Sequence, residues 1–225
     1  DKVLCCSRLG VRGTMIGRAQ SDTLPPSASG DNYRFARRRS ATQSWDGSST
    51  QSWDGSGGLG IVGCTQALLS GTCDMPAAAI KAEELMMHAI NAENHKVMAD
   101  AGSIHALQLL LWQCQLAEGP GVPEARTAGV RALRNLASSP ALHERIFGVG
   151  GTLRLVVGLL GPQASPDDQA AAARALQKIT SDSSSKERFC KELSDVCVTE
   201  LLSELVLCGN DKAKQASAVA LDHLL

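Results

Sequence analysis

The sequence is poor in aromatic residues and has none of the long apolar runs that a membrane helix requires. Phe, Trp and Tyr make up only 3% of its 225 residues, although 44% are hydrophobic. Sheets favour aromatic and β-branched residues, whereas abundant Ala and Leu favour helices, so this composition predicts an all-α protein. No segment approaches the ~20 consecutive apolar residues of a membrane span. We therefore expect no membrane insertion.

Motifs that carry catalysis are also missing. The sequence contains no P-loop, no G-x-S-x-G nucleophile elbow and no H-E-x-x-H zinc motif. Residues 58–63 satisfy G-x-G-x-x-G, with Lys81 downstream as in a protein kinase, but the H-R-D and D-F-G motifs of a kinase are absent. We interpret these glycines as the end of a linker. The prediction is a protein that is not an enzyme, with no catalytic, metal-binding or cofactor-binding residues and no cofactor.

The cysteines and histidines show no spacing suited to a metal ligand set. None of the eight cysteines forms a C-x-x-C pair, which zinc and thioredoxin-type sites require. We expect reduced thiols on apolar helix faces. The five histidines are expected at the surface or half-buried on helices. They are His88, His95, His105, His143 and His223.

Residues 1–58 differ in composition from the rest of the chain. They lack helical or strand periodicity, contain turn formers throughout, and hold 8 Lys and Arg against 5 acids. The remaining residues hold 14 against 18. We predict an irregular Ser/Gly/Arg-rich arm over 1–58 and a helical domain over 59–225. An intracellular, cytoplasmic location is the first expectation; a mitochondrial one is the alternative, because an Arg- and Ser-rich head resembles a transit peptide.

Two features of the arm suggest contact with a partner. The segment TQSWDGS of residues 42–48 recurs unchanged at residues 50–56, and tryptophan is enriched at interface hot spots. Residues 33–39 interleave aromatic rings with four arginines, a composition that grips phosphates and stacks on bases. A duplication without a role and a solvated basic tail explain the same features. The candidate contact residues of the arm are Tyr33, Arg34, Phe35, Arg37, Arg38, Arg39, Trp45 and Trp53, and Ser40 is a candidate phosphorylation site.

From residue 59 onward the sequence has the periodicity of stacked helices. Apolar residues recur at spacings of three and four, and Gly, Pro or Ser clusters interrupt them. Two short helices followed by a longer one are predicted within residues 93–138, and the same order recurs within 142–180 and 186–225. Residues 143–147 match residues 186–190 at an offset of 43, which lies in the range of helical repeat families. The predicted units are a partial repeat at 59–90 and repeats at about 91–138, 139–182 and 183–225.

Two stretches resemble the armadillo repeat family. Ala101-Gly102 ahead of Ile104-His105-Ala106-Leu107 is similar to the family's break between first and second helices. The stretch from Ala132 to Ala137 (ALRNLA) is similar to its third-helix signature. The resemblance, shared with the related HEAT type, implies an armadillo-like right-handed helical solenoid with an extended N-terminal arm.

The resemblance also implies a non-catalytic protein-binding or scaffold protein, either an adaptor or a structural subunit of a larger assembly. In armadillo proteins that bind extended peptides, a third-helix asparagine holds the partner's backbone, and Asn135 matches that position. The following two repeats carry Lys178 and His223 there. Arg131 and Arg174 lie four residues earlier, on the same helix face. We predict that this concave face contacts other proteins through their acidic or phosphorylated segments.

Two other classes of function compete with this interpretation. The first is an RNA-contacting subunit, for example of an organellar ribosome, that uses residues 33–39. The second is an enzyme whose site has no recognisable motif.

Overall fold

The computed structural model describes residues 57–225, which contain eleven α-helices and no strand. The helices are α1 (Gly57–Leu69), α2 (Met75–His88), α3 (Asn94–Asp100), α4 (Ser103–Leu116), α5 (Val122–Leu136), α6 (His143–Gly148), α7 (Thr152–Gly158), α8 (Pro166–Thr180), α9 (Ser183–Glu192), α10 (Val198–Cys208) and α11 (Asp211–Leu224). A short 3-10 turn at Pro140–Leu142 leads into α6. Among these residues, none of the helices is both long enough and apolar enough to cross a membrane.

Polar residues and glycines define where the helices begin. The side chains of Asp74, Ser165, Asp182 and Asn210 each accept a hydrogen bond from a backbone N–H of the first turn that follows. These N-caps satisfy donors that have no partner within the helix. Gly102 adopts a left-handed φ of 84° immediately before α4, a conformation that glycine takes without strain. The predicted break between first and second helices therefore lies at this residue.

The helices follow the predicted order of two shorter helices and a long third one. α3, α4 and α5 form one repeat, α6, α7 and α8 the next, and α9, α10 and α11 the last. α1 and α2 correspond to the second and third helices of a partial repeat. The third helices α2, α5, α8 and α11 pack side by side in that order. The all-α repeat architecture expected from the sequence is confirmed.

Polar contacts between neighbouring repeats show the repeat length directly. Arg145 donates to Asp100 at 2.6 Å, and Arg154 donates to Asp195 at 2.8 Å. These pairs are separated by 45 and 41 residues. Equivalent positions of successive repeats therefore lie against one another, as in a solenoid.

The apolar positions of the third helices form the interior. Ala132, Ala175 and Ala220 are buried, which allows close approach of adjacent helices. The predicted layer-filling residues Leu133, Leu136, Leu176 and Ile179 are also buried, whereas Leu221 and Leu224 are only partly buried. Among the described helices, α11 packs mainly against α8 and α10.

A buried carboxylate joins two of the third helices. Asp168, in the first turn of α8, has no exposed surface. It accepts hydrogen bonds from the Thr127 hydroxyl at 2.6 Å and from the Arg126 Nε at 3.1 Å, both on α5. The ion pair and hydrogen bond balance a charge that would be very unfavourable alone in the interior.

The glycine-rich segment interpreted as a linker is instead helical. Residues 58–63 lie within α1, although each glycine costs about 1 kcal/mol relative to alanine in a helix. Ile61, Cys64 and Leu68 follow one another at spacings of three and four and are buried. Burial of such side chains stabilises by about 1.5–3 kcal/mol each, so packing outweighs the low helix propensity.

Two histidines expected near the surface are buried. His95 and His143 are 4% and 1% exposed, and their Nε2 atoms lie 2.9 Å from the carbonyl oxygens of Ala89 and Ala137. Those carbonyls sit at the C-terminal ends of α2 and α5, where no intrahelical donor reaches them. The ring N–H groups satisfy them, which gives a buried histidine a structural role. His105 is exposed and His88 and His223 are half-buried, as expected.

The cysteines are divided between interior and surface. Cys64 and Cys114 are buried, and burial raises the pKa of each thiol to about 11. Cys190 and Cys208 are exposed, so the expectation that all thiols lie on apolar helix faces is wrong for these two. None of the six cysteines among residues 57–225 forms a disulfide.

Candidate partner-binding groove

The exposed side of the third helices contains a cavity of about 550 Å³ rich in cationic side chains. We call it the basic cavity. It extends from the end of α2 across α5 and α8 to α11. Its lining consists of Ala89, Ile90, Arg134, Asn135, Ser138, Arg174, Gln177, Lys178, Gln215, Ala216 and Val219.

Three cations line the basic cavity without a carboxylate among the described residues around it. They are Arg134 on α5 and Arg174 and Lys178 on α8. Burial lowers the pKa of Arg134, and the charges of Arg174 and Arg131 lower it further. The like charges therefore repel one another across the cavity, and an anion placed between them would relieve that repulsion.

The cations predicted from the sequence differ in their availability to a ligand. Arg174 and Lys178 form no ion pair with another described residue. Arg131, in contrast, donates to Asp167 at 3.2 Å and lies outside the basic cavity. The structure thus brings Arg174 and Lys178 together, whereas the charge of Arg131 is balanced within the chain.

Asn135 lies in the basic cavity, but its amide is already bonded within the chain. Its Nδ2 donates to the Met86 carbonyl at 3.3 Å, and its Oδ1 accepts from Arg134 at 2.8 Å. The bond to Met86 links α5 to α2. One N–H of the amide remains for a partner's carbonyl, whereas a partner's N–H would have to displace Arg134 from the Oδ1 atom.

His223 does not line the basic cavity, although the sequence placed it on the concave face. Its Nδ1 lies 3.4 Å from the hydroxyl of Thr180 at the end of α8. The residues that α11 contributes to the cavity are Gln215, Ala216 and Val219, which lie one or two turns earlier in the helix.

Sequence reasoning missed Arg134 and the glutamines Gln177 and Gln215. Arg134 lies three residues after Arg131, a spacing that puts both on neighbouring parts of one helix surface. That signal was available in the sequence. The glutamines carry no such signal, because their place in the cavity depends on how the third helices are stacked.

Two further cavities continue the groove beyond the basic cavity. A cavity of about 320 Å³, which we call the central cavity, is lined by Arg131, Arg134, Arg174 and Lys212 together with Asp167. A third cavity, of about 610 Å³, lies between α2 and α5 and is mainly apolar. We call it the apolar cavity, and the three cavities together the groove.

The remaining predicted contacts lie outside the described residues. They are Tyr33, Arg34, Phe35, Arg37, Arg38, Arg39, Trp45 and Trp53, together with Ser40.

Comparison with known proteins identifies the fold through structure rather than through sequence. No protein-family model matches the chain, and no curated protein matches it. It is similar to a designed armadillo repeat protein, with a TM-score of 0.63 and 18% identity over 73% of this chain and 64% of that one. Two engineered proteins of the Northeast Structural Genomics Consortium match with a TM-score of 0.60 and 28% identity. The matches to these two cover 72% and 73% of this chain and 62% of each of those.

The chain therefore spans less than two thirds of the length of each of these structures. Armadillo-like folds commonly serve as protein-binding scaffolds, and repeat solenoids are typically not enzymes. The order of the helices, the side-by-side third helices and the structural matches agree: the chain has an armadillo-like repeat fold.

Proposed function

We propose that this protein is a non-catalytic scaffold whose groove binds acidic or phosphorylated segments of other proteins. Arg134, Arg174 and Lys178 carry this proposal, because they surround one cavity in which no described carboxylate balances them. Arginine forms paired hydrogen bonds with carboxylate and phosphate groups, and lysine adds a mobile point charge.

The shape of the site supports an extended ligand. The basic cavity reaches from α2 to α11 and therefore crosses all four third helices of residues 57–225. Stacked repeats present such continuous surfaces, and elongated segments of a partner can contact several repeats at once. The glutamine and asparagine amides around the cations can donate further hydrogen bonds to a bound anion.

Charge reversal tests the proposal. The full chain and its Arg174→Glu/Lys178→Glu variant are titrated against a fluorescein-labelled hexaglutamate peptide, with fluorescence anisotropy as the readout. We expect the variant to bind at least about tenfold more weakly, since two charge-assisted contacts are lost and replaced by repulsion. The matched control is Lys96→Glu/Lys191→Glu, which changes the net charge equally at exposed positions outside the groove.

Equal binding by the two double variants would refute the proposal. The same titration with a short single-stranded RNA tests the competing function. An RNA affinity that survives groove reversal but is lost when Arg34, Arg37, Arg38 and Arg39 become alanine would replace protein binding by RNA contact through the arm.

A further inference from the structure

The apolar cavity adds a second kind of chemistry to the groove. Its volume of about 610 Å³ lies within the range of pockets that hold ligands. Its apolar lining comes from α2 and from the first half of α5 and consists mainly of Pro76, Ala79, Ile80, Met86, Pro123 and Ala128. Ile80 is 58% exposed, so an apolar side chain of a partner could cover a surface that water now contacts.

Shared lining residues show that the central cavity adjoins both of the others. Met86 and Arg131 line both the apolar and the central cavity. Arg134 and Arg174 line both the central and the basic cavity. A ligand that spans the groove therefore passes directly from one cavity to the next, over the side chains that line both.

Charge changes along this path. Glu83 and Glu124 lie at the apolar cavity. Asp167 and its partner Arg131 line the central cavity, and the charged residues that line the basic cavity, on α5 and α8, are all cations. Acidic residues therefore outnumber basic ones at the apolar cavity, where Arg131 is the one cation, and an anion is attracted to the basic cavity instead, which distinguishes the two directions in which a segment could lie.

We propose that the groove binds an extended segment in one orientation, with an apolar side chain in the apolar cavity and an anionic side chain in the basic cavity. This inference rests on the proposed function. On α5, the residues that line the apolar cavity lie about nine residues before those that line the basic cavity, so at about 1.5 Å per residue of helix the two cavities are separated by roughly 10–20 Å. At about 3.3 Å per residue of extended chain, the two side chains are about three to six residues apart.

A peptide series tests the two-part recognition. The probe is a labelled peptide with one leucine and a pair of glutamates separated by four serine or glycine residues; two further peptides replace leucine by serine or both glutamates by glutamine. A fourth peptide carries phosphoserine in place of the glutamate pair. Comparison of its affinity with that of the glutamate peptide shows whether the groove prefers phosphate or carboxylate. With the full chain, we expect about tenfold weaker binding when leucine becomes serine, because burial of its apolar surface is lost.

A protein variant places that effect at the apolar cavity. In Ile80→Gln, leucine and serine peptides should bind within about twofold of each other, and the exposure of Ile80 allows the change without damage to the core. The control is Leu116→Gln, the same kind of change at a residue that is 72% exposed and lines none of the three cavities. Leu116→Gln should still bind the leucine peptide about tenfold more tightly than the serine peptide.

Photo-crosslinking reports the orientation. A diazirine analogue of leucine in the probe should give adducts between residues 76 and 86 on α2 and between residues 123 and 128 on α5, whereas adducts at residues 134–138 or on α8 or α11 would overturn the proposed direction. Equal affinity of the leucine and serine peptides would overturn the apolar contact while leaving the proposed function intact. Equal affinity of the glutamate and glutamine peptides would instead refute the proposed function itself.

Discussion

Removal of Arg126 should destabilise the fold more than removal of its buried partner Asp168. Asp168 is fully buried, whereas the side chain of Arg126 retains 23% of its exposure. In Arg126→Ala, the carboxylate stays in the interior with Thr127 as its remaining side-chain donor. In Asp168→Ala, the guanidinium that is left can still reach water. Arg126→Ala therefore leaves an unpaired charge that is buried, whereas Asp168→Ala leaves one that is partly exposed, and the first destabilises the fold more.

The magnitudes follow from this asymmetry. An uncompensated buried charge destabilises by about 3–5 kcal/mol, which is the expected effect of Arg126→Ala. Asp168→Ala loses two hydrogen bonds to a charged group, each worth about 1.5–3 kcal/mol, but it also removes the desolvation cost of the buried carboxylate, so its net effect should be smaller than that of Arg126→Ala. In the double variant no buried carboxylate remains, so it should be more stable than Arg126→Ala alone. The second substitution acts as a partial rescue.

Urea unfolding of the full chain, followed by far-UV circular dichroism at neutral pH, measures these free energies. The exposed pair Arg145–Asp100 supplies the control, because Arg145→Ala should cost only about 0–1 kcal/mol. If Arg126→Ala costs no more than Arg145→Ala, or if the double variant is as unstable as the sum of its single changes, the reasoning fails.

Two further predictions concern backbone conformation and pH. Gly63→Ala should stabilise the fold by about 0.5–1 kcal/mol, because this helical position has nothing within 4 Å of an added Cβ. Gly121→Ala should destabilise it, because the φ of Gly121 is +84° and the Cβ would lie 2.5 Å from the Pro76 nitrogen. Thermal unfolding of both variants checks these opposite signs, and the same sign for both would contradict the structure. Hydrogen bonds from Ser184 and Ser185 lower the pKa of the Asp182 carboxyl from 3.8 to about 2, so the stabilisation from this N-cap is present above pH 3.8 and is lost as the pH falls through about 2. Unfolding free energies of the wild type and Asp182→Asn should therefore converge toward pH 2, and a constant difference from neutral pH downward would count against this origin of the shift.

The sequence determined the repeats because their signals are local. Apolar spacings of three and four within each helix, and the glycine at Gly102, depend only on neighbouring residues. Asn135 and the cations four residues apart could be placed on one helix face for the same reason, since helix geometry fixes which residues are neighbours. Residues 58–63 were misassigned because glycine content is a local signal, whereas the burial of Ile61 and Leu68 that stabilises α1 comes from other helices.

Only the tertiary structure decided which side chains are free to bind. Arg131 and Asp167 belong to different helices, so their ion pair forms only once α5 and α8 are stacked. That pair leaves Arg131 out of the set of unpaired cations. The same stacking engages Asn135 with Met86 and brings Arg134 beside Arg174. The burial of His95 likewise depends on the carbonyl of Ala89 at the end of another helix. The sequence determines what each helix presents, whereas the distances between helices determine which of those groups neutralise one another and which remain for a ligand.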